Sequence, residues 1–550
     1  MKARIPIIIS LLTLTALMIF LRQPTYQDIF CNPDVATMAY GAEDLLAGGV
    51  IYDRCLESKP PGAHIVTAIS FWIGGRTMTS VYVAATLFHI VTMLLLYLLG
   101  SRMHSKFAGI ATAYLYAFHS ISFGAAGHCP NFETWTVLPV TAGYFFLWEA
   151  DRQQRRKYPL FLAGLFGGIA IIFKQMSAVF CLFAIGYIAL THREIESRKE
   201  RIGATIMDSL IAAAGALIPL LMMVLFFAWR GGLAPLWSSL NPGAGLGYAG
   251  STDFSLLQEH LRHHLGYYLW HSFTLVAMAA AILFAFRIER DDFERSKHRL
   301  ARLLVLVWLI SATFAVAAGT KFFDHYYVML TPPLALAAGI AMAHLIAHGG
   351  LPRPLKALLI VVLLLSAPLD MWQEIHVAEV ALHERRTSDR IDFTELREKW
   401  FLGRASIVRE SAWSREQQKV GECIAKQTDP DDGLYVWDYL PGIYWYANRR
   451  SPTRHYVYFE TTVDVPSHGG TWFPKVTPQV RDNRDKLLSD LGQKPPAYVV
   501  ELPDGGDGQS RKFIIEHAPM FSELRRFVDE HYSINMQCST RHITARRLIQ

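Results

Sequence analysis

The sequence predicts a polytopic α-helical membrane protein of about eleven transmembrane helices, followed by a C-terminal soluble α/β domain. Three observations carry this. Apolar residues make up 52% of the 550-residue chain and charged residues only 18%, a balance more apolar than soluble domains show. Runs such as Leu210–Ala228, Leu303–Ala318 and Leu334–Ile346 approach the roughly 20 residues that about 30 Å of hydrocarbon requires at about 1.5 Å per residue. After about Asp370 such runs stop, and charge, proline and glycine rise.

The run Ile5–Leu21 follows Lys2 and Arg4. It reads as a first span rather than a cleaved signal, because LRQPTYQDIF lacks the small-residue cleavage pattern that follows a signal's apolar stretch. Further spans fall near 80–100, 107–123, 132–150, 159–173, 176–191, 207–229, 270–288, 300–319, 326–347 and 355–370. With a cytoplasmic N-terminus, the inner loops carry Arg102 and Lys106; Arg152, Arg155, Arg156 and Lys157; Arg193, Arg198, Lys199 and Arg201; the basic group Arg287 to Arg302; and Arg353 with Lys356. Each loop obeys the positive-inside rule, so the chain is expected to be a multi-pass inner (plasma) membrane protein with an extracytoplasmic C-terminus.

Counting the apolar stretch Gly62–Gly75 as a span would invert every later loop, so it reads as an interfacial or re-entrant helix. The expected organisation is therefore a membrane part, 1–370, with long outer loops at 22–79 and 230–270, and a soluble domain, 371–550. In that domain, helical patterns at Arg415–Lys426, Asp482–Leu491 and Phe521–His531 alternate with strand-like runs at Gly433–Asp438, Ala497–Glu501 and His542–Leu548. Of the six cysteines, only Cys181 lies within a span. An oxidising compartment would permit the pairs Cys31–Cys55 and Cys423–Cys538, with free thiols as the alternative.

Ionisable residues at the mouths of spans are costly, and here they gather on the outer side. The first outer loop holds Asp34, Glu43, Asp44, Asp53, Glu57 and Lys59; GHCPNFETW holds His128 and Glu133; the turn after the fifth span holds Lys174; and the turn after the ninth holds Lys321, Asp324, His325, Tyr326 and Tyr327. Any one of these is open to the plain reading of a solvated loop charge. Asp34 follows a proline at a helix start, where backbone donors can hold a carboxylate, whereas Glu43 and Asp44 sit on later turns and are expected at the surface. Lys174, between apolar residues, is either a snorkelling side chain or a fixed cation suited to a lipid phosphate.

The blocks PDVATMAYGAEDLLAGGVIY with KPPG, then GGIAIIFKQMSAVF, then TKFFDHYYVMLTPPLALAAG resemble the GT-C superfamily of polyprenyl-phosphate-sugar glycosyltransferases. The nearest members are bacterial relatives of protein O-mannosyltransferases and the lipid A aminoarabinose transferase. DPDDGLYVWDYLPGIYWYANRRSPTRHYVY in the tail resembles the soluble domain of bacterial members. The resemblance implies that Asp34 is the catalytic base, that Glu133 is a second acidic position, and that Lys59, Lys174, His325 and Tyr326 bind the donor's lipid phosphate. The chain departs from protein O-mannosyltransferases in lacking their adjacent acidic pair, since Val35 follows Asp34.

The chemistry suits those residue types. Transfer from a phosphate-linked sugar has an oxocarbenium-like transition state, a phosphate leaving group that needs a cation, and an acceptor hydroxyl that must lose its proton. A monophosphate leaving group does not require a divalent metal, and no zinc-like spacing occurs, so no cofactor is required beyond the polyprenyl-phosphate-sugar substrate, and use of a divalent metal stays open. The partners implied are that donor, a lipid, glycan or protein acceptor, and membrane lipids, but no nucleic acid. A transporter or flippase without chemistry is the main alternative; against it stands the absence of a hydropathy repeat or paired broken spans. A scaffold with a partner-binding tail is a third reading. Reporter fusions after Arg156, Arg201 and Arg295 should report cytoplasm, and fusions after Gly127, Tyr248 and Gly470 the outside; a cytoplasmic signal from Gly470 overturns this topology.

Overall fold

The computed structural model describes residues 5–26, 28–53, 55, 57–152, 156–240, 258, 261–281, 292–318, 322–348, 352–383, 405–456, 478–502 and 522–549. In chain order the helices are α1 (Ile5–Arg22), α2 (Pro33–Leu46), α3 (Gly62–Gly74), α4 (Met78–Met103), α5 (Lys106–His119), α6 (Phe132–Arg152), α7 (Lys157–Phe173), α8 (Ala178–Thr191) and α9 (Arg198–Trp229). They continue with α10 (Leu233–Ser239), α11 (Gly266–His271), α12 (Phe273–Ala280), α13 (Asp292–Ala317), α14 (Thr331–His348) and α15 (Arg353–His383). The last are α16 (Ala405–Lys426), α17 (Gly442–Ala447), α18 (Pro478–Gln493) and α19 (Ser522–His531), among which lie β1 (Leu434–Val436), β2 (Tyr498–Glu501), β3 (Tyr532–Ile534) and β4 (Thr544–Leu548).

A helix lies within the described part of every expected span, although α5 ends at His119, short of the expected 123. Five helical segments among the described residues are long and apolar enough to cross a membrane: Ile5–Arg22, Met78–Met103, Arg198–Trp229, Arg299–Ala317 and Asp324–Ala347. The 13 residues of α3 reach only about 20 Å, short of the hydrocarbon thickness. Lys321 and residues 241–257 and 259–260 of the expected outer loop 230–270 lie outside the described residues.

The chain divides into two compact units: Met1–Gln27 with Thr79–Leu225 and Leu261–Ala405, and Asp28–Met78 with Phe226–His260 and Ser406–Gln550. Among the described residues, the regular elements of the first unit are all helices. Its centre is α14, buried from Leu334 to Ala343 and packed against α5 and α12. Lipid offers apolar side chains no hydrophobic gain from pairing, so close approach of small residues drives association. Gly164 and Gly168 of α7 accordingly rest on the backbone of Ala212 and Ala216 in α9, and Gly215 rests on Phe161. The opposite stripe of α9, including Leu210, Leu217, Leu221 and Leu225, is exposed. Small side chains inward and leucines outward reverse the pattern of a soluble helix.

The second unit is built on a mixed sheet of order β1-β2-β4-β3. The β1 strand runs parallel to β2, with Leu434 opposite Tyr498, and the other pairings are antiparallel. Alternation along the strands sends Leu434, Val436, Tyr498 and Val500 to one face and Tyr435 and Val499 to the other. The first face packs on Val420 and Ile424 of α16 together with Tyr40 and Cys55. The second packs on Leu487 and Leu491 of α18 and on Leu524 and Val528 of α19. The expected helices and strands of the tail are all present; β3, which follows α19 without a turn, and the short α17 were not foreseen.

Two expectations fail here. Glu43 and Asp44 are not surface residues, because α2 is packed between α3 and α17. Asp44 is buried, and Glu43 pairs with Arg76 and lies 3.8 Å from Arg450. Nor is there a Cys31–Cys55 bridge, since Cys55 is a free thiol buried in the first sheet-face core. Cys423 and Cys538 do form a disulfide, with Cα atoms 5.3 Å apart, tying α16 to the segment after β3.

Glu501, at the end of β2, pairs with Arg525 and, at 2.6 Å, with Arg546. Burial alone would raise its carboxyl, but the two guanidinium groups outweigh it and hold the group below its ordinary value of 4.5. The unfolded chain therefore binds this proton more tightly, so the stabilisation is present above about pH 4.5 and is lost as pH falls below it. Glu501→Gln removes the buried carboxylate and leaves Arg525 and Arg546 with the half-exposed Asp529, 3.5 and 3.4 Å away, and should cost about 2 kcal/mol. Hydrogen exchange at β2 and β4 amides between pH 3 and 7 checks both statements: the wild type should lose protection below pH 4.5, and the variant should show less of that acid dependence.

Candidate functional site

The residues expected to carry chemistry fall into two sets, one in each compact unit. The first surrounds Asp34. Asn32 caps α2, its side chain accepting from the Val35 amide at 3.0 Å, and Pro33 opens the helix. This cap places Asp34 in the first turn, where the helix N-terminus favours negative charge. Its Oδ1 accepts a 2.5 Å hydrogen bond from the Tyr439 hydroxyl, and its Oδ2 lies 3.8 Å from Lys59 Nζ. The Asp34 side chain remains 23% exposed, which leaves it open to a reactant.

Lys59 is held through its backbone. Glu57 Oε1 accepts the amides of Ser58 and Lys59 at 2.8 and 3.2 Å, and the Tyr52 hydroxyl donates to the Lys59 carbonyl at 2.9 Å. The same Glu57 oxygen lies 3.9 Å from Lys59 Nζ, so the ammonium stands between two carboxylates.

The second set follows from helix order. Antiparallel α6 and α7 pack along each other, so the start of α6 and the end of α7 share one end of the pair. That juxtaposition brings Glu133, in the first turn of α6, to Lys174, the C-cap of α7. The two form a buried ion pair, with Glu133 only 2% exposed. The turn Asp324–Leu330, which precedes α14, packs on α6. It sets His325 Nε2 3.8 Å from Glu133 Oε1 and the Tyr326 ring 3.8 Å beneath Lys174 Nζ, a cation–π distance.

Backbone strain accompanies both sets. The described non-glycine residues with positive φ are Tyr52 at 42°, Ala126 at 44°, Phe322 at 51° and Asn448 at 50°. Asn448 closes α17 in the left-handed conformation common at helix ends. The other three precede Lys59, Glu133 and His325 by a few residues, in segments where strain is tolerated when the surroundings dictate it. Among the described residues no group of three His, Cys, Asp or Glu side chains is placed to hold a metal ion.

The structure thus joins Asp34 with Lys59, and Glu133 with Lys174, His325 and Tyr326. Tyr439 and Tyr52 were missed. Tyr439 stands 405 positions from Asp34, and its only sequence signal is its place in the WDYLPG stretch of the tail.

Residues 58–228 match the family model described as dolichyl-phosphate-mannose-protein mannosyltransferase. No curated protein matches the chain at a significant level. Among solved structures, ArnT from Cupriavidus metallidurans in the apo state is similar over 97% of each chain, with a TM-score of 0.59 and 14% identity. The same protein bound to undecaprenyl phosphate is similar over 98% of this chain and 97% of that one, with a TM-score of 0.58 and 12% identity. The oligosaccharyltransferase of Archaeoglobus fulgidus in the apo form matches over 92% of this chain and 70% of its own, with a TM-score of 0.50 and 12% identity. The chain is therefore a membrane protein with the GT-C glycosyltransferase fold, carrying a segment that matches the dolichyl-phosphate-mannose-protein mannosyltransferase model.

Proposed function

We propose that this protein is an inverting glycosyltransferase that moves a sugar from a polyprenyl monophosphate to a lipid, glycan or protein acceptor on the outer face of the membrane. The observation that carries this reading is the partly exposed Asp34 carboxylate, fixed through one oxygen at a helix start, in a chain of this fold. ArnT, whose fold it shares, has been solved with undecaprenyl phosphate bound. In this reading the N-terminus is cytoplasmic, and the tail after about residue 370 lies outside.

The reaction balances with this chain's own groups. The acceptor oxygen attacks the sugar's anomeric carbon from the face opposite the phosphate and inverts it. The carbon–oxygen bond to phosphate breaks, the polyprenyl phosphate leaves with the electron pair, and the acceptor's proton passes to Asp34. Lys174, with His325 and Tyr326 beside it, supplies positive charge to the leaving phosphate, and Lys59 supplies it near Asp34. Glu133 neutralises Lys174 until a phosphate takes over that role. No metal enters these steps.

With a labelled polyprenyl-phosphate sugar and a membrane extract as acceptor source, the wild type should release polyprenyl phosphate. A general base contributes roughly 10² to 10⁴ in rate, so Asp34→Asn should lose about 3 to 5 kcal/mol of transition-state stabilisation. Folding should hardly change, because the amide is close in shape. More than about a tenth of wild-type turnover in folded Asp34→Asn removes Asp34 from this role. If Lys174 holds phosphate in ground and transition states alike, Lys174→Met should raise the donor KM as well as slow turnover. It is made together with Glu133→Gln, because a buried carboxylate left alone would cost about 3 to 5 kcal/mol of stability.

A further inference from the structure

We propose that Tyr439, supplied by the C-terminal domain, is a positioning residue for the Asp34 carboxylate, so that this domain completes the base rather than merely accompanying it. The inference rests on the reading of Asp34 as base and adds a residue from a segment that reading does not use.

The hydroxyl of Tyr439 donates to Asp34 Oδ1 at 2.5 Å, while Lys59 Nζ stands 3.8 Å from Oδ2. The two neighbours thus take different oxygens. One oxygen is tied by a short, directional bond to a charged acceptor, the stronger kind of hydrogen bond. The other lies 3.8 Å from the Lys59 ammonium and, in this reading, is the oxygen that receives the proton. A carboxylate anchored in this way keeps its rotamer when an acceptor hydroxyl arrives, which is the contribution a positioning residue makes.

The donor is itself built into the fold. Tyr439 lies three residues past the end of β1, in the turn that leads to α17. Asp438 Oδ1 accepts the Tyr439 amide at 3.2 Å, Leu440 is buried in the sheet-face core, and the Leu440 carbonyl accepts from Ile443 at 3.1 Å. On the other side, α2 packs on α17, with the Tyr40 and Tyr444 rings 5.0 Å apart. Donor and acceptor are therefore held by one core. Burial, with the Asp34 charge beside it, pushes the Tyr439 phenol well above its ordinary value, so the hydroxyl keeps the proton it donates.

Tyr439→Phe removes only the hydroxyl and should leave the purified full chain folded, with its melting lowered by no more than a few degrees. Its turnover should fall about tenfold to a hundredfold, the size of a hydrogen bond to a charged group, with the donor KM unaltered. The acid limb of its pH–rate profile should move to higher pH, since the carboxylate loses a donor to its charged form. Tyr439 replaced by 3-fluorotyrosine, of similar shape but with a more acidic hydroxyl, should move that limb to lower pH. Unchanged turnover and acid limb in folded Tyr439→Phe, with Asp34→Asn inactive, would overturn the positioning role and leave the base standing. Slower turnover with the acid limb unmoved in both variants would also overturn it, as a structural effect. An active Asp34→Asn would instead remove the base reading itself.

Discussion

The arrangement around Asp34 depends on the stacking of Tyr40 on Tyr456, with ring centroids 4.5 Å apart and planes within 5° of parallel. Tyr40 belongs to the same helix as Asp34 but is buried in the core of the C-terminal sheet, together with Cys55. An aromatic pair of this kind removes a large apolar area from water and adds about 0.5 to 1.5 kcal/mol beyond that burial. Its structural consequence is that α2, part of an outer loop by sequence, behaves as an element of the soluble fold. Arg450 strengthens the join, stacking over the Tyr40 ring at 4.8 Å and donating to its carbonyl at 3.0 Å. With α2 fixed in this way, the Asn32 cap, the Asp34 carboxylate and the Tyr439 hydroxyl have little freedom left.

The two candidate carboxylates sit in environments that suit different work. Asp34 is partly exposed, with one oxygen bonded to Tyr439, an environment that suits a group taking a proton from an incoming hydroxyl. Glu133 is buried and paired with Lys174, and removing either partner of such a buried ion pair is costly. When the environments of two acids diverge so far, their roles diverge too. In the proposed reading Glu133 therefore serves as counter-charge and Asp34 as base, although the resemblance assigned both to catalysis.

The membrane unit reaches its own precision by different means. Without a hydrophobic driving force between spans, contact specificity falls to glycine and alanine on α7 and α9, and to polar pairs such as Tyr144 with Ser311, 2.8 Å apart between α6 and α13. Arg22, buried at the end of α1, donates to the carbonyls of Ser120 and Gly127. It thereby anchors the loop that delivers Glu133 to the start of α6.

Hydropathy and charge order by themselves determined that this is a chain of membrane helices ending in an α/β domain, because lipid admits only backbone that satisfies its own hydrogen bonds and side chains that are overwhelmingly apolar. Local rules were enough to place Asp34 in the first turn of a helix, since a proline start is read within a few residues. The pairing of Cys423 with Cys538 was legible as a possibility, because both lie in the tail. Burial of Glu43 and Asp44 was not legible: a loop helix shows its exposed and covered faces alike until the partner surface is known, and here the covering comes from α17, some 400 positions away. The same holds for the Tyr439–Asp34 bond and for the free thiol of Cys55. Each is decided by which distant segments share a hydrophobic core, and that choice belongs to the tertiary structure because it depends on the summed burial of many side chains rather than on any local pattern.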